Sequence, residues 1–123
     1  MPEYGITHLK ESDLEDVVSV IRRSKEKSSF ERAPTVDELK AYTLKDSDFR
    51  PEGSWVVRSG GAPVAYAVAI VEANRLSAGL DDAYFEFEVV PEERSKGLEQ
   101  RLIGLGTEYV RSKGIGKVKA RSL

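Results

Sequence analysis

A chain of 123 residues with 40% hydrophobic side chains is long enough to close one compact core and too short for two ordinary ones, so a single domain over residues 1–123 is expected. Its 19 basic and 21 acidic side chains leave a net charge of −2, which gives no long-range field for nucleic acid or an anionic membrane, so any anion site must be local. The absence of cysteine excludes disulfide frameworks, thiolate metal sites and cysteine nucleophiles; MPEYGITHLK has no signal-like apolar stretch, and no run approaches the roughly 20 apolar residues of a membrane span, so a soluble cytoplasmic protein is expected.

Tyr4 to Leu9 alternates as a short strand does. In SDLEDVVSVIRRS, Leu14, Val17, Val18 and Ile21 have the spacing of a helix with one buried face, and Ser12 with Glu15 reads as a capping box at its start. KEKSSFERA, residues 25 to 33, is polar apart from Phe30 and reads as a mobile loop. A second helix is expected from Thr35, with Glu38 completing another capping box and Leu39 and Tyr42 facing the core. SWVVR and PVAYAVAIV, residues 54–58 and 63–71, form a hairpin around Ser59, Gly60 and Gly61. After the polar loop EANRLSAGLDD, AYFEFEVV is a strand with Phe85, Phe87 and Val89 on a buried face and Tyr84, Glu86, Glu88 and Val90 on the other, which is expected to expose two carboxylates. Past Gly97 a helix carries Leu98, Leu102, Leu105 and Tyr109 on one stripe with Ile103 and Val110 beside it; Gly114 closes it and KVKARSL starts a last strand.

This order predicts a mixed α/β fold in which a strand, a helix and a further strand form a right-handed crossover, placing residues 91 to 97 at the carboxyl end of a strand, where ligands bind in such sheets. A helix starting near Gly97 offers free backbone amides and the positive end of its dipole, glycine allows close approach, and Arg94 and Lys96 add charge; those ingredients suit a pyrophosphate. The plainer alternative is a glycine that only makes the bend before a capped helix, with Arg94 and Lys96 solvated.

VVPEERSKGLEQRLI resembles the acetyl-CoA-binding segment of the GCN5-related N-acetyltransferase (GNAT) superfamily: Arg or Gln, two residues, Gly, one residue, Gly or Ala, after a strand ending in Val-x-Pro. Val89, Pro91, Arg94 and Gly97 match, and the order of elements matches over most of the chain. The resemblance implies the acyl-CoA N-acyltransferase fold, a mixed, largely antiparallel sheet flanked by helices. It also implies acetyl-CoA as cosubstrate, with the pantetheine arm along Val89 and Val90 and the pyrophosphate on the loop Arg94, Ser95, Lys96, Gly97, Leu98 and Glu99. Two departures stand out. Glu99 replaces the second Gly or Ala, and a carboxylate held roughly 4 Å from a phosphate at an effective dielectric near 20 costs about 4 kcal/mol, so weakened cofactor affinity is expected unless it turns outward. The sequence stops at Leu123, before the further strands and helix usual in the family, which reads as a truncated chain, as part of a larger protein, or as a degenerate domain whose last strand a partner chain completes; in the last case dimerisation through the open sheet edge is the expectation.

Acetyl transfer needs a base to take a proton from the amine, and family members often carry that acid on the strand AYFEFEVV, so Glu86 and Glu88 are the candidates, each with the alternative of being a solvent-facing strand residue. Backbone amides near Val89 would polarise the thioester oxygen. Spacing does not promote Tyr84 or Tyr109 to a general acid; His8 has no catalytic partner at a recognisable spacing, and Trp55 reads as core. Arg22, Arg23, Lys25 and Lys27 are offset by Glu26 and Glu31, and adjacent Asp81 and Asp82 do not make a metal site. The expected function is transfer of an acetyl group from acetyl-CoA to a primary amine of a small molecule or protein; the competing reading is a non-catalytic acyl-CoA-binding or interaction domain on the same scaffold.

Overall fold

The computed structural model describes residues 4–25, 34–41, 43–73, 77–79 and 82–122; the expected mobility of residues 26–33 and the inward-facing Tyr42 lie outside the described residues. The strands are β1 (Tyr4–Thr7), β2 (Ser54–Ser59), β3 (Ala62–Ile70), β4 (Asp82–Val89) and β5 (Lys117–Ser122), and the helices are α1 (Leu14–Lys25), α2 (Val36–Ala41) and α3 (Leu98–Ser112). One sheet runs in the order β1-β2-β3-β4-β5; neighbours are antiparallel through β4, and β5 lies parallel to β4 after the crossover through α3. The fold is the mixed, largely antiparallel sheet with flanking helices that the element order predicts. Among the described residues no helix is long and apolar enough to cross a membrane.

Both faces of β3 and β4 are covered, which is why β3 reads as a nearly continuous apolar run. Gly106 of α3 meets Phe85 on one face, and Ser24 of α1 meets Glu88 on the other. The expectation that β4 shows two carboxylates to solvent is therefore corrected: Glu88 is 1% exposed beneath α1, and Glu86 is half-buried. Trp55 stands edge-on to Phe85 and Tyr109, with ring centroids 6.5 and 6.3 Å away, in the core layer under α3.

Local chemistry sets the element ends. Thr35 and Glu38 form the expected capping box, each side chain accepting the other's backbone N–H at 3.1 and 3.0 Å. The start of α1 differs from expectation. Ser12 lies inside a 3₁₀ turn, Glu11–Asp13, and the Asp13 carboxylate accepts the Lys10 amide at 2.9 Å. Asp13 and Asp16 also accept from the Arg58 guanidinium at 2.9 and 2.8 Å, pinning α1 to β2 and raising the Arg58 pKa further, through those two hydrogen bonds first. Gly60 and Gly61 both have positive φ, as a tight two-residue hairpin turn requires, and Pro63 sits at the register shift after Val57, where a residue without an N–H is tolerated.

Candidate functional site

The junction between β4 and α3 is built by its backbone. Val90 donates its N–H to Val64 on β3 at 2.9 Å, and a 3₁₀ turn, Pro91–Glu93, carries the chain off the sheet. Ser95 then adopts φ 66° and Gly97 φ 87°, so two left-handed residues turn the backbone at the head of α3. Ser95 holds that conformation without being glycine, a strained arrangement of the kind found at ligand sites. Among the described residues no side chain caps α3, and its first intrahelical bond runs from the Arg101 amide to the Gly97 carbonyl at 3.1 Å. The amides of Leu98, Glu99 and Gln100 are thereby left to an external acceptor at the positive end of the helix dipole, and Arg94 to Gly97 are exposed.

The side chains around this loop divide into two groups. Arg94 turns back: its Nε donates to the Val89 carbonyl at 3.1 Å, and its Nη2 donates to the Ser24 carbonyl and Oγ at 3.2 and 2.8 Å. Ser24 in turn donates its hydroxyl to Glu88, so a chain of hydrogen bonds joins Arg94, the last turn of α1 and the buried carboxylate of β4. A guanidinium at the carboxyl end of α1 also satisfies a free carbonyl and suits the dipole there. On the other side, Tyr4 donates to Glu93 at 2.6 Å, which with burial and the fields of Glu93 and Glu99 raises the Tyr4 pKa. Lys96 stands 3.7 Å from Glu93. Glu99 is half-buried, and its Oε1 is shielded from solvent with no hydrogen-bond partner among the described residues, so the carboxylate is not turned outward.

Glu86 faces a cavity of about 490 Å³ lined by Asp46, Asp48, Val68, Ile70, Glu72, Tyr84 and Glu86. Its floor is made of two cross-strand neighbours, Val68 opposite Glu86 and Ile70 opposite Tyr84. Pairing of β4 with β5 runs from Asp82 to Phe87, so Glu88 and Val89 lie beyond it. The two candidate carboxylates thus occupy different settings, Glu86 on an open cavity and Glu88 locked under α1. Asp46 and Asp48 carry no signal in the sequence, because it is the segment after α2 folding onto the sheet that brings them to the cavity, whereas Glu72 reaches it by following the end of β3. His8 donates its Nδ1–H to the Ser54 carbonyl at 2.9 Å, a structural role.

The acetyltransferase (GNAT) family model matches residues 16–122 of this sequence. The chain belongs to that family. Solved GNAT structures share its fold at low sequence identity. An N-acetyltransferase from Staphylococcus aureus Mu50 superposes with TM-score 0.76 at 16% identity, covering 96% of this chain and 72% of its own. A GCN5-related N-acetyltransferase from Sphaerobacter thermophilus gives 0.73 at 18%, covering 90% of this chain, which spans only 33% of that protein's length. An aminoglycoside N-acetyltransferase in complex with CoA gives 0.67 at 16%, covering 100% of this chain and 79% of its own. No curated protein sequence matches. A GNAT chain uses an acyl-CoA, and the residues here fit the anionic part of such a group: the α3 amides are uncapped and the loop before them is exposed. The enclosed carboxylate of Glu99 in the same turn opposes it.

Proposed function

We propose that this GNAT chain transfers an acetyl group from acetyl-CoA to a primary amine. The observation that carries the reading is the uncapped start of α3 after the left-handed pair Ser95 and Gly97, at the end of the strand that also presents Glu86 to a cavity. The amides of Leu98 and Glu99 and the side chain of Lys96 hold the pyrophosphate. The backbone of Val89 and Val90, beyond the last β5 pair, takes the pantetheine arm. Arg94 shapes the loop from behind through Val89 and Ser24.

Glu86 is the base in this reading, since it meets the cavity, whereas Glu88 is tied to Ser24 and acts by holding the strand end in place. Glu86 takes a proton from the ammonium group; the neutral nitrogen attacks the thioester carbonyl, the C–N bond forms, the C–S bond breaks, the acylated nitrogen gives its extra proton to solvent, and CoA leaves as a thiolate that is protonated by solvent. Similar structures include aminoglycoside and ribosomal-protein-alanine N-acetyltransferases, which is consistent with an amine acceptor without choosing one. Among the described residues β5 is the outermost strand beside β4, so pairing of two copies through it is proposed as well, and a monomer mass on gel filtration would exclude it.

The test is calorimetric titration with acetyl-CoA followed by a thiol-release assay with amines. Saturable binding, turnover in the wild type and loss of at least about a hundredfold in kcat for Glu86→Gln with binding kept are expected. Binding without release for any amine would replace the proposal by the non-catalytic acyl-CoA-binding domain; no binding at millimolar acetyl-CoA would remove both.

A further inference from the structure

We propose that Ser24, in the last turn of α1, is a positioning residue for acyl-CoA, its hydroxyl being the link that fixes the loop before α3 against the end of β4. The proposal rests on the transferase reading above and adds to it a residue 70 positions upstream of Arg94. Ser24 is 6% exposed and Glu88 1%, so the contact between them is sealed from water. The hydroxyl accepts from the Arg94 guanidinium at 2.8 Å while donating to the Glu88 carboxylate. Joining a cation to an anion in this way takes a group that accepts and donates at once, which a hydroxyl does and a methyl group does not. The Ser24 carbonyl takes a second bond from the same guanidinium nitrogen at 3.2 Å.

The loop needs an anchor at this point. Ser95, the next residue, holds φ 66° without being glycine, and Arg94 to Gly97 are exposed. Arg94 Nε also donates to the Val89 carbonyl at 3.1 Å. One guanidinium therefore ties the strand end proposed for the pantetheine arm to the loop proposed for the pyrophosphate, and Ser24 sets where that guanidinium lies. The neighbouring grip from α1 is weaker. Arg23 donates to the Pro63 carbonyl at 3.2 Å and pairs with Glu92, but the two paired side chains are 38% and 55% exposed, and an ion pair so open to water holds little. A loop kept in its binding shape before the ligand arrives binds more tightly, because ordering it is no longer a cost of association. Ser24 touches neither Glu86 nor the cavity it faces, so its loss acts on cofactor affinity and not on the transfer step.

Calorimetric titration with acetyl-CoA measures this role, each variant being held at a temperature where circular dichroism shows it folded. Ser24→Ala is expected to raise Kd about tenfold while kcat at saturating acetyl-CoA stays within about twofold, and Ser24→Thr, which keeps the hydroxyl, to bind within about twofold of the wild type. Arg94→Lys tests the same chain without opening the buried contact. It keeps the charge but loses the fork that reaches Val89 and Ser24 together, so a loss of about tenfold is expected, whereas a residue that only lends charge to a phosphate would tolerate lysine. Adding Ser24→Ala to Arg94→Lys is expected to weaken binding no further, since both act through one chain. An unchanged Kd in Ser24→Ala or in Arg94→Lys, or full additivity in the double variant, overturns the positioning role and leaves the cofactor site standing. No binding by the wild type overturns the transferase reading instead, and hydrogen exchange then decides the link. The Glu93 and Arg94 amides are bonded to the Val90 and Pro91 carbonyls at 3.0 and 3.2 Å. Exchange at least about fivefold faster in Ser24→Ala supports Ser24 as the anchor of the loop, and an unchanged rate overturns it.

Discussion

Arg94 shows how one side chain can have two uses that spacing does not separate. Its position before Gly97 reads as charge for a phosphate, yet its guanidinium is committed to the Val89 carbonyl and to Ser24. Hydrogen bonds from a charged donor contribute about 1.5–3 kcal/mol, so Arg94→Ala, discounted for its partial exposure, is expected to cost about 2 kcal/mol and lower Tm by roughly 8 °C. Lys96→Ala should melt within about 1 °C of the wild type while weakening acetyl-CoA binding, because its ion pair is exposed. Equal melting of Arg94→Ala and wild type in a thermal scan would show that these bonds do not hold the loop. Glu99 is the opposite case. Its departure from the family pattern is plain in the sequence, but only the fold shows the carboxylate enclosed beside the loop. Glu99→Gln is expected to tighten acetyl-CoA binding about tenfold at low ionic strength, well below the unscreened limit, with the gain shrinking at higher salt. An unchanged Kd at both ionic strengths would mean that the carboxylate does not meet the phosphates.

Among the elements, α3 departs most from its hydrophobic pattern. The expected stripe of Leu98, Leu102, Leu105 and Tyr109 is in fact the row Leu98, Leu102, Gly106 and Val110; Leu105 and Tyr109 are only half-buried, and Ile103 is 39% exposed. Gly106 has no side chain to register in a periodicity count, yet it lets the helix approach the sheet, since a Cβ there would lie 2.4 Å from the Phe85 ring. Gly106→Ala gains up to about 1 kcal/mol of helix propensity and forces a packed core apart at a cost of about 1–3 kcal/mol. A net loss of about 1 kcal/mol or more is expected as a lower urea midpoint with unchanged m, and a raised midpoint would show that α3 can slide. The start of the second helix was legible, because a capping box is a local device; the start of α1 was not, because Asp13 answers to Arg58 on β2 as well as to its own turn.

For the whole molecule, the two phenols whose titration has a clear direction point to alkaline sensitivity. Tyr4 is raised above the usual phenol range by its hydrogen bond to Glu93 and by burial, and Tyr109 is raised by burial first and then by Glu52. A phenol with a raised folded pKa holds its proton more tightly folded than unfolded, so its contribution is complete below about pH 10 and is lost as pH climbs through the folded value. Stability is therefore expected to show no loss from these groups through neutral pH and to fall above about pH 10, with a shallower fall in Tyr4→Phe and Tyr109→Phe; urea midpoints at neutral and alkaline pH check this, and parallel slopes in all three proteins would refute it. The sequence by itself determined the order of elements, the hairpin glycines and the loop before Gly97, because propensity, turn chemistry and a strand-to-helix junction are written in neighbouring residues. The tertiary structure alone decided which faces of β4 are covered, where Arg94 and Glu99 point, and that Asp46, Asp48 and Glu72 meet Glu86 on one cavity. Those relations join residues far apart in the chain through packing and charge, and no local pattern encodes them.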